Sequence, residues 1–339
     1  MSAKMLLRRI YRKLLINFRK LTLFLAKTIF LSRFLQKRLA FSYYPGEVVD
    51  GLGAQLQRII ALRGLGSYLG ISVLSTKISD FAIHPLDGLS QKEYETNLGI
   101  INSLLVIESQ SQEKAVFNVY IKDLHMIDLL RSLFLSFKMK KVILLCIRDS
   151  YFLVDTKPEL YRAGISHEMS ATIRTLVIDD FSDAIVLHHR QGVGQMAIQP
   201  GQKSTREMQI SSYANPLKEA LNLTHLKRIV IFTDAPETDL VFMPPKSQEN
   251  LWNGLPKFES GQMQISRGDF QALAENFPQI TEVRRGGNPL VSLAEMSTAG
   301  ALILSRSSFG YLAAHLSGNK YVWIPSDFWH PKIPLWREY

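Results

Sequence analysis

PLVSLAEMSTAGALILSRSSFGYLAAHLSGNKYVWIP, residues 289–325, decides the fold class. It reads as a helix over 289–300, a strand over 301–305, a second helix over 308–318 and a second strand over 320–325. Strands that alternate with helices of this length pack as parallel sheets covered by helices. The same alternation extends towards the N-terminus. Apolar runs at 71–76 (ISVLST), 140–147 (KKVILLCI), 183–189 (DAIVLHH), 227–234 (KRIVIFTD) and 281–286 (TEVRRG) are expected strands. Segments 121–137, 158–177 and 267–277 are expected helices. A chain of 339 residues with 46% apolar content has room for two such domains and excludes wholesale disorder. The expected boundaries are 1–45, 46–180 and 181–339, with 158–177 as the hinge.

The net charge of +10 is localised. Residues 1–40 hold eleven Lys and Arg and no acid, the first acid being Glu47. Without those eleven charges residues 41–339 carry about −1, so a nucleic-acid partner is not expected. Residues 5–39 lack Pro and Gly and predict one amphipathic helix. Leu6, Leu7, Ile10, Leu14, Phe18, Leu21, Leu25 and Ile29 share one face; Arg8, Arg9, Arg12, Lys13, Arg19, Lys20 and Lys27 share the other. Leu15, Ile16, Leu23 and Phe30 interrupt the basic face. The expectation is a helix lying on an anionic membrane surface, on the cytoplasmic side of the inner membrane. The longest apolar run there, LTLFLA, is far short of the roughly 20 residues that span a bilayer. The single cysteine, Cys146, allows neither an internal disulfide nor a cysteine-rich zinc site.

Four stretches carry candidate chemistry. DGLGAQLQR (50–58) places Gly51 and Gly53 directly before a helix, where free N–H groups and the helix dipole favour an anion or a sugar oxygen. It is no dinucleotide fingerprint, because Gln55 and Leu56 stand where a third glycine would have to be. IVLHHRQGVG (185–194) ends a strand in His188, His189 and Arg190. Arg190 has the planar fork that suits a diphosphate, and His188, two residues earlier, points to the same side of an extended strand. IFTDA (231–235) puts Asp234 after a strand, as a hydrogen-bond acceptor or a helix cap. LSRSSFGYLAAHL (304–316) puts Ser307 and Ser308 at a strand-to-helix turn.

In this order the stretches resemble bacterial alpha-1,2-fucosyltransferases, glycosyltransferase family 11. DGLGAQLQR is similar to GGLGNQLFQ, VLHHRQG to HxRRGD, and IFTDA to FSDD. Residues 289–316 are similar to DLxLMSxCKHxIIANSSFSWWAAWL, and KYVWIPSDFW to a KIVIAPxxW ending. The resemblance spans about residues 46–330. It implies a GT-B architecture, two Rossmann-like domains facing a cleft. The implied reaction is inverting transfer of fucose from GDP-fucose to a hydroxyl of a surface-glycan acceptor, with no cofactor and no obligatory metal. It also implies that Arg190 binds the diphosphate, that His188 and Asp234 lie near the base, and that Ser307, Ser308 and Phe309 frame the nucleotide. Gly51 and Gly53 would shape the opposing wall of the cleft, and Gln55 beside them is a further substrate-binding candidate. The chain departs from the pattern at Ala54, Gln191, Val193 and Ala235, where the family has asparagine, arginine, aspartate and aspartate. Those departures admit two alternatives: a different nucleotide sugar, or a catalytically altered nucleotide-binding protein of the same fold. No catalytic residue is assigned; Asp50, His84 and Glu295 are the candidate general bases.

Overall fold

A computed structural model describes residues 17–44, 51–74, 78–81, 87–105, 116–191, 208–242, 263–265 and 267–339. They form two compact units. One draws on residues within 1–46, 57–77 and 102–166, the other on residues within 47–56, 78–101 and 167–339. Both are α/β with parallel sheets, the class that the helix–strand alternation predicts.

The first unit is built on a four-stranded sheet: β1 (Leu39–Tyr43), β2 (Ser72–Val73), β3 (Val116–Asp123) and β4 (Val142–Asp149), in the order β2-β1-β4-β3. Every pairing is parallel. β1 lies inside the sheet and all five of its residues are buried. This corrects the single helix expected over 5–39. Residues 17–29 are helical, a turn follows, a short helix covers Arg33–Gln36, and the chain then enters β1. The Gln36 side-chain amide donates to the carbonyl of Phe30 at 2.7 Å and so ends the first helix without Pro or Gly. A continuous apolar run such as LAFSY has no periodicity that separates a buried strand from a buried helix. β3 was not expected either. The helix predicted over 121–137 starts only at Met126 and runs to Met139, because residues up to Asp123 pair with β4.

The helix Leu52–Leu69 crosses this unit with its backbone unusually close to a neighbour. A Cβ at Gly64 would lie 1.9 Å from the carbonyl oxygen of Leu160, and one at Gly164 would lie 1.9 Å from that of Ile60. The expected helix over 158–177 is two pieces, Glu159–Ala163 and His167–Arg174, and Gly164 sits at the break.

The second unit has a six-stranded sheet: β5 (Ala184–His189), β6 (Arg228–Thr233), β9 (Ile280–Arg285), β10 (Ala301–Ile303), β11 (Val322–Ile324) and β12 (Arg337–Glu338). A separate antiparallel pair, β7 (Leu240–Phe242) with β8 (Met263–Ile265), completes the strands among the described residues. The six-stranded order is β12-β11-β10-β5-β6-β9, all parallel. β5 is buried along its whole length, as a strand covered on both faces must be. Ile185, Leu187, Ile229, Ile231, Ile303 and Trp323 form one core with Tyr213 and Leu217 of the flanking helical segments Ile210–Tyr213 and Ala214–Thr224. From β5 the chain adds β6 and β9 on one side, then returns to add β10, β11 and β12 on the other. The strand order therefore reverses between β5 and β10.

Gly64→Ala tests the backbone contact of the first unit. Helix propensity alone favours alanine by about 1 kcal/mol. The added methyl meets a backbone oxygen that cannot rotate away, and overpacking of that kind costs about 1–3 kcal/mol or more. The expected net result is a loss of stability, read as a lower denaturant midpoint at unchanged slope.

Candidate functional site

Open α/β sheets bind ligands outside the carboxyl ends of their strands, where the strand order reverses. In this chain that point is the gap between β5 and β10, and four of the sequence-predicted stretches supply residues to it or beside it. His188, at the end of β5, is 6% exposed, and its Nδ1 lies 3.0 Å from Oγ of Ser305, which follows β10. The helix Ser308–Ser317 starts directly beyond. Ser307 is its N-cap and accepts from the N–H of Phe309 at 3.3 Å. Ser308 and Phe309 are half-buried in the first turn. Gly310 is required by contact, because a Cβ there would stand 2.9 Å from Nδ1 of His188. The rings of His188 and Phe309 are 6.0 Å apart.

The glycine-rich stretch reaches the same place. A Cβ on Gly53 would lie 2.7 Å from Cα of Phe309. The first turn of Leu52–Leu69 thus rests on the first turn of Ser308–Ser317, and two helix N-termini meet. Gly51 is exposed with open space around it, and its carbonyl accepts from the N–H of Gln55 at 3.2 Å. Gln55 is fully buried and its amide donates to the carbonyl of Asp80 at 2.8 Å. Its visible role is to hold the glycine turn against the 78–81 segment.

Arg190 and Asp234 form a pair across the ends of β5 and β6, Nε to Oδ2 at 3.1 Å. Asp234 Oδ1 also accepts from the N–H of Gln191 at 2.6 Å. Asp234 therefore orients Arg190 and closes the turn after β5. Arg190 keeps a third of its side-chain surface exposed. Of the candidate bases, Glu295 is 3% exposed and committed: one oxygen takes the N–H of Asp179 at 3.2 Å, the other Nη1 of Arg284 at 2.7 Å. Asp50, His84, Gly192, Val193 and Gly194 lie outside the described residues.

Three further residues contribute, two of them, Ser305 and Arg285, without a sequence signal. Ser305 was hidden inside an expected strand that in fact ends at Ile303. Arg285, at the end of β9, donates to the carbonyls of Ala235, Pro236 and Gly268 at 2.8, 3.1 and 3.1 Å. With Arg267, Phe270 and Gln271 it lines a cavity of about 500 Å³ beside the β6 end. Gln191, in the position of the family's second arginine, bridges His189 Nε2 and the carbonyl of Arg267 at 3.3 and 3.2 Å.

His188 and His189 point to opposite faces, as consecutive strand residues do. His189 packs between Tyr213 and Phe270, with Nδ1 3.1 Å from the tyrosine oxygen. Burial pushes His188 down to about 3; Arg190 and His189 push the same way and Asp234 opposes them. Burial also lowers His189. Both rings are therefore neutral near pH 7. His188 acts there as a hydrogen-bonding imidazole, and the positive charge comes from Arg190.

No protein-family model and no curated protein matches the chain. Among solved structures it is similar to POFUT1 in complex with GDP, at 9% identity and a TM-score of 0.41, covering 83% of this chain and 94% of that one. It is also similar to the E. coli heptosyltransferase WaaC with ADP-2-deoxy-2-fluoro heptose, at 11% identity and a TM-score of 0.38, covering 89% and 92%. A further similarity is to POFUT1 in complex with GDP-fucose, at 10% identity and a TM-score of 0.29, covering 84% and 71%.

The histidine pKa shift makes stability depend on acid. The unfolded chain protonates His188 near its ordinary 6.5, while the folded chain resists until about 3. Between those values the unfolded state binds more protons, so stability falls as pH drops through that window. His188 contributes about 1.4 kcal/mol per pH unit there. His188→Asn should flatten the stability–pH slope between pH 6 and 4 by about that amount, read from denaturant unfolding at successive pH values.

Proposed function

We propose that this chain is a glycosyltransferase that holds a nucleoside-diphosphate sugar at the carboxyl edge of the second sheet. The observation that carries the reading is the strand-order reversal between β5 and β10, with Arg190, the His188–Ser305 pair and two abutting helix N-termini around it. That set supplies what a diphosphate needs: a guanidinium fork, backbone N–H groups on a helix dipole, and hydroxyl donors. The ordered motif resemblance points to GDP-fucose as donor, to inversion at the anomeric carbon and to a glycan hydroxyl as acceptor. In that reaction a base takes the acceptor's proton, the acceptor oxygen bonds to the anomeric carbon, and the bond from that carbon to the diphosphate breaks. Arg190 and the helix N-termini then meet the charge on the leaving nucleoside diphosphate. The proposal requires no metal.

A second reading, a nucleotide-binding protein with altered catalysis, is favoured by Gln191 and Ala235. Gln191 is engaged with His189 and Arg267, and Ala235 is buried with its carbonyl on Arg285. Neither can take over the role of the charged residue that the family pattern has there.

Calorimetry with GDP, ADP, UDP and their sugar conjugates, followed by donor hydrolysis, separates the two. Nucleotide binding with sugar release supports transfer, binding without turnover supports the second reading, and no binding removes both. Arg190→Ala should weaken nucleotide binding by about 1.5–3 kcal/mol, the value of a charge-assisted contact. Arg190→Lys should restore only part of that, because an ammonium lacks the planar fork. Unchanged affinity in Arg190→Ala would withdraw the diphosphate role.

A further inference from the structure

The first unit carries an apolar surface that its own fold does not use. In the helix over 17–29, Leu23 and Ala26, with Phe30 just beyond, are buried at 4%, 0% and 1%. Leu23 and Phe30 are two of the residues that interrupt the basic face in sequence. They form the strip that docks. The face predicted from periodicity points out instead: Phe18 is 62% exposed, Leu21 54% and Leu25 45%, with Phe24, Leu31 and Phe34 exposed beside them. The helix Met126–Met139 is inverted in the same way. Its buried positions are Leu129, Ser132 and Ser136, while Ile127, Leu130, Phe134 and Phe137 are exposed, Phe134 at 71%. A helix that turns serines inward and phenylalanines outward is unusual for a surface in water.

The two faces are continuous. The rings of Phe34 and Phe137 lie 5.9 Å apart, and the Arg38 guanidinium sits over both at 4.9 and 5.1 Å. The charge around them has one sign. Residues 17–44 contain six basic residues and no acid. Residues 126–141 contain four basic residues and one acid, Asp128, which caps its helix through the N–H of His125 at 2.9 Å. Two copies meeting face to face would bring these cations against each other. An interface with an apolar interior and an anionic surface complements both layers. Among the described residues no helix is long and apolar enough to cross a membrane, so the fit is to lying on one.

We propose that the exposed faces of residues 17–34 and of the helix Met126–Met139, joined at Phe34–Phe137, form one docking surface for a membrane with anionic headgroups. The second helix is as much a part of it as the first. The inference does not depend on nucleotide-sugar binding, and its test does not involve nucleotide.

The test is flotation of the full chain with phosphatidylcholine vesicles, with and without phosphatidylglycerol, at low and high salt. Deleting residues 1–40 is unsuitable, because it removes the buried Leu23, Ala26 and Phe30 and two of the five residues of β1. The informative variants are Leu21→Ser/Leu25→Ser and Leu130→Ser/Phe134→Ser, all at exposed positions and checked for unchanged melting. The expected result is binding to anionic vesicles only, release by salt, and a partition coefficient lowered roughly tenfold or more in each double variant. Wild-type binding by Leu130→Ser/Phe134→Ser would overturn the shared surface. So would absence of vesicle binding, as expected if a soluble partner covers it. Lipid-free dimerisation abolished by the same variant would show that the face pairs copies of the chain.

Discussion

His188 hydrogen-bonds to Ser305 across the two strands between which the chain reverses its course over the second sheet. Much around the candidate site follows from seating a neutral imidazole at that position. The ring occupies the space over the first turn of Ser308–Ser317, so residue 310 has to be glycine. The turn settles at a height that lets Phe309 touch both the imidazole and Gly53. Strand alternation sends the next residue, His189, to the opposite face, where Tyr213 and Phe270 enclose it. Two adjacent histidines thus have unlike duties. One borders the ligand edge, and the other belongs to the hydrophobic core.

Cations near the site divide in a comparable way. Arg284 is bound by Asp179, Glu282 and Glu295 and lies over Phe181, a structural cluster on the other side of β9 from Arg285. Arg285 is turned onto backbone carbonyls and fixes the loops that wall the cavity. Arg190 is the more exposed of the three and is aimed by a carboxylate that is itself anchored to Gln191 N–H. A guanidinium whose direction is already set by a carboxylate is pre-organised for an anion, because less side-chain freedom is lost on binding.

The sequence was most legible where one strand's composition declared its environment. β5, β6 and the helix–strand repeat over 289–325 are near-continuous apolar runs bounded by polar turns, which is how strands buried on both faces read. Legibility failed where long-range pairing decided the outcome. Leu39–Tyr43 follows a helical stretch with no breaker, and only its partners β2 and β4 make it a strand. Gly53 could be read as a flexible turn residue, but the close approach of Phe309 is invisible without the fold. The same holds for Arg285 and Ser305, ordinary residues until strand order brings them to the edge.

The chain passes between its two units four times before residue 166 and a fifth time on entering residue 167, because residues within 47–56 and 78–101 belong with the second unit. A ribosome therefore releases the glycine-rich turn long before the strand and helix that will receive it. Neither unit can finish in simple N-to-C order, and the second must wait for β10 and Ser308–Ser317. Late, long-range closure of this kind slows folding and leaves apolar segments uncovered during synthesis. In a cell, the early segments that belong to the second unit would stay sensitive to proteases and dependent on holding chaperones until the last strands emerge.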